Sequence, residues 1–529
     1  MTSNSQEIIQ AIRAEFDQML DFVTGEPARL ATADQIERGL FKLLIKLGAK
    51  LLTLFFVMRS QACTRETLQT AEGHKLYYQR ETKRDCFSIF GKVAVWRPYF
   101  YKTGVGGQTP LDAELSLGDD CYSDLVREVS EYLGVYSVYH KTADILERLL
   151  GLSLSTRVVE ENIAEDAAAV EAYYAQKPPP APAEEAEILV IQADGKGVPM
   201  ILDETPAEPT VRLGKGEKRG HKKEAVVTTV YTIAASPRTP QEVVASFFDQ
   251  NQGATAAQPD SPRPAPQNKH VWATLDGKDA ALSRLAQQVA LRQGNHLQHH
   301  VALCDGCEAL QSRIATHFTD FSQVLDFIHA DEYLWDVANS LLGETNAQRT
   351  EWMSHHTLQM LSGQTEQLIA DFRHLAQAAS TTSAQREQLR KTANYFERNL
   401  PYMDYPTYLA RGWPIASGVI EGACRHFVKD RCELSGMRWS QDGAENLLRL
   451  RAVAENDDWD AYHDFRKRQR HSRLYRSPAP TQTAAELQAL DDVAAAKTDS
   501  TSTPDRLMTV PQPANSRRRK GYQEFPLAV

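Results

Sequence analysis

The chain contains the stretch Ile188-Leu189-Val190-Ile191-Gln192-Ala193-Asp194-Gly195-Lys196-Gly197, an apolar run that stops on a carboxylate and opens into glycines. An apolar run of this length, bounded by glycine, predicts a buried β-strand. Such a strand would hold the Asp194 carboxylate at a rigid edge, where a metal ion or a substrate can reach it.

The same pattern recurs later in the chain, in His300-Val301-Ala302-Leu303-Cys304-Asp305-Gly306. Two strands that each end in Asp-Gly predict two carboxylates placed side by side by one sheet. Like charges at close range are unfavourable unless a cation lies between them. The pair Asp194 and Asp305 therefore predicts metal-dependent chemistry.

The composition bounds the class of protein. At 529 residues the chain is too long for one hydrophobic core, and about three domains are expected. A hydrophobic content of 42% and a charged content of 24% are those of an ordinary soluble protein. The net charge of −10 does not indicate a nucleic-acid partner, although an average hides local basic patches.

The cysteines and the most apolar stretch predict a cytoplasmic protein with no membrane partner. Seven scattered cysteines favour reduced thiols. No paired CxxC motif occurs in residues 1–175, so no zinc site is predicted there. The stretch 40–57 carries Lys42, Lys46 and Lys50 on one helical face, which predicts an amphipathic helix rather than a membrane span.

Changes of pattern along the chain predict a multidomain α+β fold. Alternating residues around Gly91 predict a hairpin within 84–102, and the Pro-rich segment near 180 predicts a linker. The predicted segments are a helical region (1–83), a hairpin and helix-turn-helix-like DNA-binding region (84–175), a linker (176–186), an α/β catalytic domain (187–456) with a helical insertion at about 338–410, and a basic segment with a disordered tail (457–529). Strands are predicted at 187–193, 225–234, 299–304 and about 321–328, and a surface loop at 251–269.

A third carboxylate is predicted on a helix after the last strand, and the candidate is Glu421. Ser417 would cap that helix and place Glu421 in its first turn, where the helix dipole favours a negative charge. Arg425 and Lys429 follow at one-turn intervals, so they could hold a DNA backbone. Two strand aspartates and a helical glutamate could hold two Mg²⁺ ions, with Mn²⁺ as an alternative. Glu433 and Glu445 remain alternative third carboxylates.

The order of these motifs resembles that of bacterial insertion-sequence transposases of the ISKra type, a DDE family related to the ISL and Mutator-like groups. The matching stretches are Ala193-Asp194-Gly195-Lys196-Gly197-Val198-Pro199-Met200, Cys304-Asp305-Gly306, Val324-Leu325-Asp326-Phe327-Ile328-His329, Ser417-Gly418-Val419-Ile420-Glu421-Gly422 and Ser435-Gly436-Met437-Arg438-Trp439-Ser440. Asp326 and His329 resemble an Asp-x-x-His motif that related transposases carry between the second aspartate and the glutamate.

The resemblance implies an RNase H-like catalytic domain with a helical insertion ahead of the glutamate. Asp194, Asp305 and Glu421 would be the catalytic and metal-binding residues, supported by Asp326, His329, Arg425 and Trp439. The implied activity is Mg²⁺-dependent cleavage of double-stranded DNA at element ends and joining to target DNA. A homodimer or larger synaptic complex, associated with the bacterial nucleoid, is expected, although no dimer seam is evident in the sequence.

DNA contacts are predicted from local patterns. A helix ending at Gly151, a short turn and a second helix capped by Ser155 or Thr156 fit a helix-turn-helix, although the second helix is acidic. Basic residues suited to DNA, mostly by phosphate contact, are Arg157, Lys215, Lys218, Arg219, Lys222, Lys223, Lys429, Arg438, Arg466 and Arg468.

Several residues have structural alternatives. His329 could bond the backbone instead of supporting the site, and Trp439 could be core instead of stacking on a base. Cys304 and Cys307 are expected to pack beside the strand. Two other functions stay open at this point: an RNase H-like nuclease or resolvase without transposition, and a catalytically inactive DNA-binding protein derived from a transposase.

Overall fold

The computed structural model describes residues 2–70, 72–201, 222–248 and 263–476. The first helices are α1 (Thr2–Thr24), α2 (Glu26–Leu30) and α3 (Ala33–Ala62). Thr32 and Gln35 form a reciprocal capping box at the start of α3. Helix α1 packs on α3, where the buried Glu15 carboxylate forms ion pairs with the Lys46 ammonium, at 2.6 Å, and with the Lys50 ammonium. No helix in the described ranges has the length and apolar character needed to cross a membrane.

A four-stranded antiparallel sheet follows, with the order β1-β2-β3-β4. Its strands are β1 (Thr67–Gln69), β2 (Lys75–Ser88), β3 (Gly91–Lys102) and β4 (Gly106–Gln108). The hairpin lies where the alternation predicts it, but the boundary placed after residue 83 falls inside β2. Residues 75–83 are mostly polar and at least partly exposed, so they carry no apolar alternation that marks a strand.

Short helices connect this sheet to the next domain. They are α4 (Pro110–Glu114), α5 (Asp124–Tyr136), α6 (Tyr139–Leu150), α7 (Thr156–Ala167) and α8 (Val170–Gln176). Helix α6 ends at Gly151, whose φ of +67° is left-handed, and the Ser155 hydroxyl caps α7 by accepting the Val158 N–H at 3.2 Å. The two predicted helices and their turn are therefore present. Helix α7 buries Val159 and Ile163, and it stops at Ala167.

The central sheet has five strands in the order β7-β6-β5-β8-β9. They are β5 (Ile188–Pro199), β6 (Lys222–Ile233), β7 (Gln267–Thr274), β8 (His299–Cys304) and β9 (Ser322–Leu325). Strand β6 pairs antiparallel with both β5 and β7, while β5, β8 and β9 pair in parallel. Helices α9 (Pro240–Phe248), α10 (Lys278–Leu291) and α11 (Glu308–His317) connect these strands.

Two expectations about this sheet need correction. Strand β5 does not stop at Asp194 but continues to Pro199, opposite β6. A Cβ at Gly195 would lie 2.2 Å from the Glu224 side chain of β6, and a Cβ at Gly197 would lie 3.0 Å from the Lys222 side chain. Glycine at both positions therefore leaves space for these side chains. Strand β7 begins at Gln267, inside the range predicted to be loop, since its first residues are polar and exposed.

After β9 the described chain is almost entirely helical, and the helices begin at Phe327, ahead of the insertion predicted at about 338–410. The helices up to residue 410, called the insertion below, are α12 (Phe327–Leu342), α13 (Gln348–Leu361), α14 (Thr365–Gln377), α15 (Ser383–Asn399) and α16 (Tyr405–Ala410). Then follow α17 (Gly418–Gly422), a π-helix (Ala423–Lys429), α18 (Asp430–Cys432), α19 (Gln441–Glu455) and α20 (Trp459–Tyr475). The predicted disordered tail from residue 477 lies outside the described residues.

The predicted linker is docked on the rest of the chain. Lys177 pairs with Asp458 at 2.6 Å, and the buried Glu185 pairs with Arg292 and, at 3.0 Å, with His296. The described residues belong to one compact unit that ends at Arg476. The fold is thus α+β with two sheets, and its parts are joined by ion pairs rather than by a free spacer.

Candidate active site

The two predicted aspartates lie on one face of the central sheet. Along β5, Ile188 and Val190 pack into the core beneath the insertion helices, whereas Leu189 and Ile191 pack into the core on the opposite face. Side chains alternate along a strand, so Gln192 and Asp194 share the insertion side.

Asp305 falls on that same side by the same rule. Along β8, Val301 and Leu303 face the insertion, while Ala302 and Cys304 face the other core. Gln192 is the register partner of Leu303, so Asp305 follows β8 two residues on, just as Asp194 follows Gln192. Neighbouring strands are about 4.8 Å apart, so the two aspartates, each two residues beyond this register pair, come from adjacent strands of the sheet.

The segment that carries Glu421 is fastened to β5. The buried Gln192 side chain accepts the Ile420 N–H at 2.8 Å and donates to the Tyr231 hydroxyl at 3.1 Å. One turn later, the Cys424 thiol donates to Asp194 Oδ2 at 3.3 Å. Burial and the neighbouring Asp194 carboxylate raise the pKa of the Cys424 thiol, so it remains a donor. Glu421 lies between these two attachments, beside Asp194.

The helix around Glu421 differs from the prediction in two respects. Ser417 precedes α17 at the cap position, but its side chain does not cap the helix. From Ala423 the chain forms a π-helix, whose i→i+5 hydrogen bonds end the 3.6-residue repeat assumed for Arg425 and Lys429. Both basic side chains are exposed, but they do not continue one α-helical face from Glu421.

Instead of capping, Ser417 lies between two carboxylates. Its hydroxyl is in hydrogen-bond contact with Asp326 Oδ2, and it is 3.0 Å from Glu421 Oε1. A hydroxyl has one hydrogen, so it can donate to only one of the two at a time. The contact links the Glu421 carboxylate to Asp326.

The buried Asp326 and the partly exposed His329 form an ion pair at the start of α12. Asp326 is fully buried, and it caps the helix by accepting the Ile328 N–H at 2.9 Å. His329 Nδ1 donates to Asp326 Oδ2 at 2.7 Å. This hydrogen bond raises the pKa of His329 to about 9, so the ring is an imidazolium at neutral pH. His329 therefore bonds a carboxylate rather than the backbone.

Metal-ligand atoms converge within this cluster. One atom each from Asp326, His329 and Glu421 lie within 4.8 Å of one another. The predicted trio of Asp194, Asp305 and Glu421 does not form such a tight group among the described residues. Glu421 belongs to both sets, because its segment is attached to β5 through Gln192 and Asp194 whereas its carboxylate is held by Ser417 toward Asp326.

The loop after β8 is shaped by Gly306, whose φ is +84°. A Cβ at Gly306 would lie 2.7 Å from the Tyr395 hydroxyl oxygen. Tyr395 donates that hydroxyl to the Asp305 carbonyl at 2.9 Å, and Arg398 donates to the Gly306 carbonyl at 2.7 Å. The Cys307 N–H donates to Asp305 Oδ1 at 2.9 Å. Helix α15 of the insertion thus fixes the backbone that presents Asp305.

Most of the residues for which both a structural and a functional role were open have a structural role. Trp439 is buried, its indole N–H donates to the Cys432 carbonyl at 3.0 Å, and its backbone pairs with the end of β5, so its ring is not open to stacking on a base. Cys304 is buried beside the strand and, like Cys307, is a free thiol. Glu433 pairs with Lys222, and the buried Glu445 accepts the Leu275 N–H at 2.9 Å. These contacts argue against Glu433 and Glu445 as the third carboxylate.

The predicted DNA-binding residues have varied surroundings. Arg438 and Arg468 are exposed, and Arg157 is exposed and pairs with Glu161 at 2.7 Å. Lys222 pairs with Glu433, and Lys223 donates to Gln441 at 2.7 Å. Lys215, Lys218 and Arg219 lie outside the described residues.

Arg466 does not fit the predicted role of a DNA contact. Its side chain is buried, and it pairs with Asp166 of α7 at 3.1 Å and with Asp124 of α5 at 3.1 Å. The sequence shows a basic run, but the helical period turns Arg466 inward while Arg468 points outward. Arg466 therefore joins three helices instead of meeting a phosphate.

Sequence reasoning missed the groups that position the site. A signal for Gln192 was present, because a long polar residue in a buried apolar strand needs hydrogen-bond partners, and it precedes Asp194 on the same face. The role of the Ser417 side chain was assigned to helix capping. The thiol of Cys424 had no sequence signal that separates it from core packing.

No protein-family model matches the chain, and no curated protein matches it significantly. The geometry of the site and the order of its motifs therefore carry the functional argument.

Proposed function

We propose that this protein is a DDE transposase, which cleaves double-stranded DNA at insertion-sequence ends and joins those ends to target DNA. The observation that carries the proposal is the attachment of the Glu421 segment to β5 through Gln192 and Asp194. It brings a glutamate more than two hundred residues away in sequence to the sheet face that also bears Asp305.

The architecture supports an RNase H-like catalytic domain. Only β6 runs against the other four strands of the central sheet, and Asp194 lies within β5 while Asp305 comes directly after the neighbouring β8. The helical insertion stands between the last strand and Glu421, as the resemblance implies. In this reading the insertion is also functional, because Tyr395 and Arg398 hold the loop of Asp305.

The donor set fits hard divalent cations. Asp194, Asp305 and Glu421 offer carboxylate oxygens, the ligands that Mg²⁺ and Mn²⁺ accept, and these residues would hold the two ions. When bound, the ions would activate the attacking oxygen and stabilise the leaving 3′-oxygen. His329 is a poorer ligand, since its Nδ1 hydrogen is donated to Asp326 and its pKa of about 9 keeps the ring protonated.

The chain's own residues would orient the third carboxylate. Gln192 fixes the backbone ahead of Glu421, and Ser417 holds its side chain toward Asp326. Release of Glu421 from Ser417 would let the carboxylate turn toward Asp194. The exposed Arg425, Lys429 and Arg438 close by in sequence would contact the DNA backbone.

The test is a nicking and strand-transfer assay with Mg²⁺ or Mn²⁺ and DNA that carries the element's ends. Asp194→Asn, Asp305→Asn and Glu421→Gln should each lower cleavage by about 10³-fold or more while end binding persists. Glu433→Gln is the matched control, because it removes a nearby carboxylate that pairs with Lys222, and it should leave cleavage unchanged.

The same assay separates the alternatives. Cleavage without strand transfer would indicate a nuclease or resolvase, and absence of cleavage by the unaltered chain would indicate a catalytically inactive derivative. Full activity of Asp194→Asn would remove Asp194 from the site and overturn the proposal.

A further inference from the structure

We propose that helix α3 is a self-association surface, on which α3 of a second copy of this chain packs in antiparallel orientation. This proposal does not depend on the proposed enzymatic function. It starts from the three apolar faces of α3, two of which have partners within the chain. One face meets α1, where Phe22 packs against Gly39, and another meets the antiparallel sheet, where Phe56 packs in the core formed with Val93 and Val95.

The third face carries large apolar side chains with no cover from the described residues. Its members are between 46% and 52% exposed, and they are Phe41, Leu44, Leu51, Phe55 and Met58. The stripe has a gap at Gly48, where Phe90 of the hairpin packs so closely that a Cβ would lie 2.5 Å from its ring. Phe90 therefore fills the middle of the stripe.

The spacing of the stripe indicates a helical partner. Intervals of three, seven, four and three residues keep these side chains at the a and d positions of a heptad repeat, the pattern of a helix–helix seam. From Phe41 to Met58 the stripe is about 26 Å long. An exposed apolar strip on a helix surface marks an interaction site.

Charge at the two ends of the stripe points to a second copy as the partner. Glu37 precedes Phe41, the first member of the stripe, by four residues, and Arg59 directly follows Met58, the last member, four residues after Phe55. In an antiparallel pair with Phe41 opposite the partner's Phe55, Glu37 faces the partner's Arg59 at both ends. A parallel pair would instead set like charges against each other.

This arrangement is self-complementary, as a two-fold interface requires. Within its own chain Arg59 contacts Glu114 at 3.2 Å, but 42% of the Arg59 side chain stays exposed and can meet a second carboxylate. The antiparallel orientation also places the N-terminus of each helix beside the C-terminus of the other, where the two helix dipoles attract each other.

The first experiment measures the mass of the full chain by light scattering across the micromolar range. The expected mass is twice the 59.3 kDa of one chain. Leu51→Glu and Phe55→Glu place charges in the seam, and each should weaken association by about tenfold or more, with unchanged helicity by circular dichroism. Leu291→Glu is the matched control, because Leu291 of α10 is 46% exposed but lies off the stripe, and it should leave the dimer intact.

The second experiment tests the orientation by disulfide trapping, with the unaltered chain as a blank for its own thiols. A mixture of Phe41→Cys and Phe55→Cys chains should form a covalent dimer. Phe41→Cys alone should not, because the two introduced thiols would be about 20 Å apart.

Either of two results overturns the proposal. One is a monomer at every concentration, and the other is a dimer that resists both seam substitutions. Trapping of Phe41→Cys with itself, but not with Phe55→Cys, would overturn the antiparallel order. Because the readout is mass and cross-linking, a loss of DNA cleavage would leave this inference unaffected.

Discussion

Ile420 donates its backbone N–H to the side-chain oxygen of Gln192 at 2.8 Å, which ties the approach to Glu421 to the strand that bears Asp194. Both groups are buried, so neither has water as a substitute partner. The bond defines where the helical carboxylate stands relative to the sheet. Changes to this bond and to its neighbours should therefore have measurable effects.

Gln192→Leu should impair both stability and cleavage. It removes one of the two acceptors of the Ile420 N–H, which keeps only the Ser417 carbonyl at 2.9 Å, and it takes the Gln192 donor from the buried Tyr231 hydroxyl. The loss costs about 1–3 kcal/mol and loosens the segment that carries Glu421. Thr232→Val is the control, since Thr232 is also buried and accepts the Ala186 N–H at 3.2 Å, at the end of the β5–β6 pair remote from Asp194. We expect similar losses in denaturant unfolding for both variants, with cleavage reduced in Gln192→Leu only. Equal cleavage in the two would show that Gln192 is merely structural.

His329 should make stability depend on pH above neutrality. Its folded pKa is raised from the ordinary 6.5 to about 9 by Asp326, so the stabilisation is complete below pH 6.5 and is lost as pH rises to about 9. Because the imidazole is 34% exposed, solvent screens part of the coupling, and about 1–2 kcal/mol is expected. The difference in unfolding free energy between the unaltered chain and His329→Gln should shrink over this pH range. A constant difference from pH 6 to 10 would contradict the raised pKa.

Arg466→Ala should destabilise the chain, whatever its effect on DNA binding. It leaves Asp166 short of one of its guanidinium partners in a buried position, which costs about 3–5 kcal/mol. Arg468→Ala removes an exposed arginine two residues away on the same helix and should change stability by about 0.5 kcal/mol or less. Thermal unfolding of both variants tests the contrast, and equal melting temperatures would refute the structural role of Arg466.

Gly306→Ala should be worse tolerated than Gly343→Ala. The two glycines have almost the same φ, +84° and +85°, so both substitutions strain the backbone. Only at Gly306 would the new Cβ also collide with Tyr395, whereas nothing lies within 4 Å of a Cβ at Gly343. We expect a larger fall in melting temperature and a loss of cleavage for Gly306→Ala, since Asp305 is adjacent. An equal fall in melting temperature for the two variants would mean that the Tyr395 side chain moves to accommodate the new methyl group.

Much of the secondary structure could be predicted because burial has a local signature. Apolar runs located β5, β6, β8 and β9, and the glycine and serine at the ends of α6 and α7 marked the turn between them. Strand β7 and the first half of β2 were not predicted, because their exposed polar residues show no apolar alternation. The continuation of β5 past Asp194 was not predicted, because glycine after a strand also predicts a turn. The Glu224 and Lys222 side chains of β6, which lie against these glycines, are visible only in the tertiary structure.

The sequence by itself determined the order of elements, the two aspartates that follow neighbouring strands and the placement of Glu421 after a helical insertion, since each depends on a pattern within a few residues. The tertiary structure alone decided that Gln192 holds Ile420, that Ser417 turns Glu421 toward Asp326, and that Arg466 faces inward. These arrangements rest on hydrogen bonds and ion pairs between segments far apart in the chain, which form only when packing brings the segments together and removes water from them.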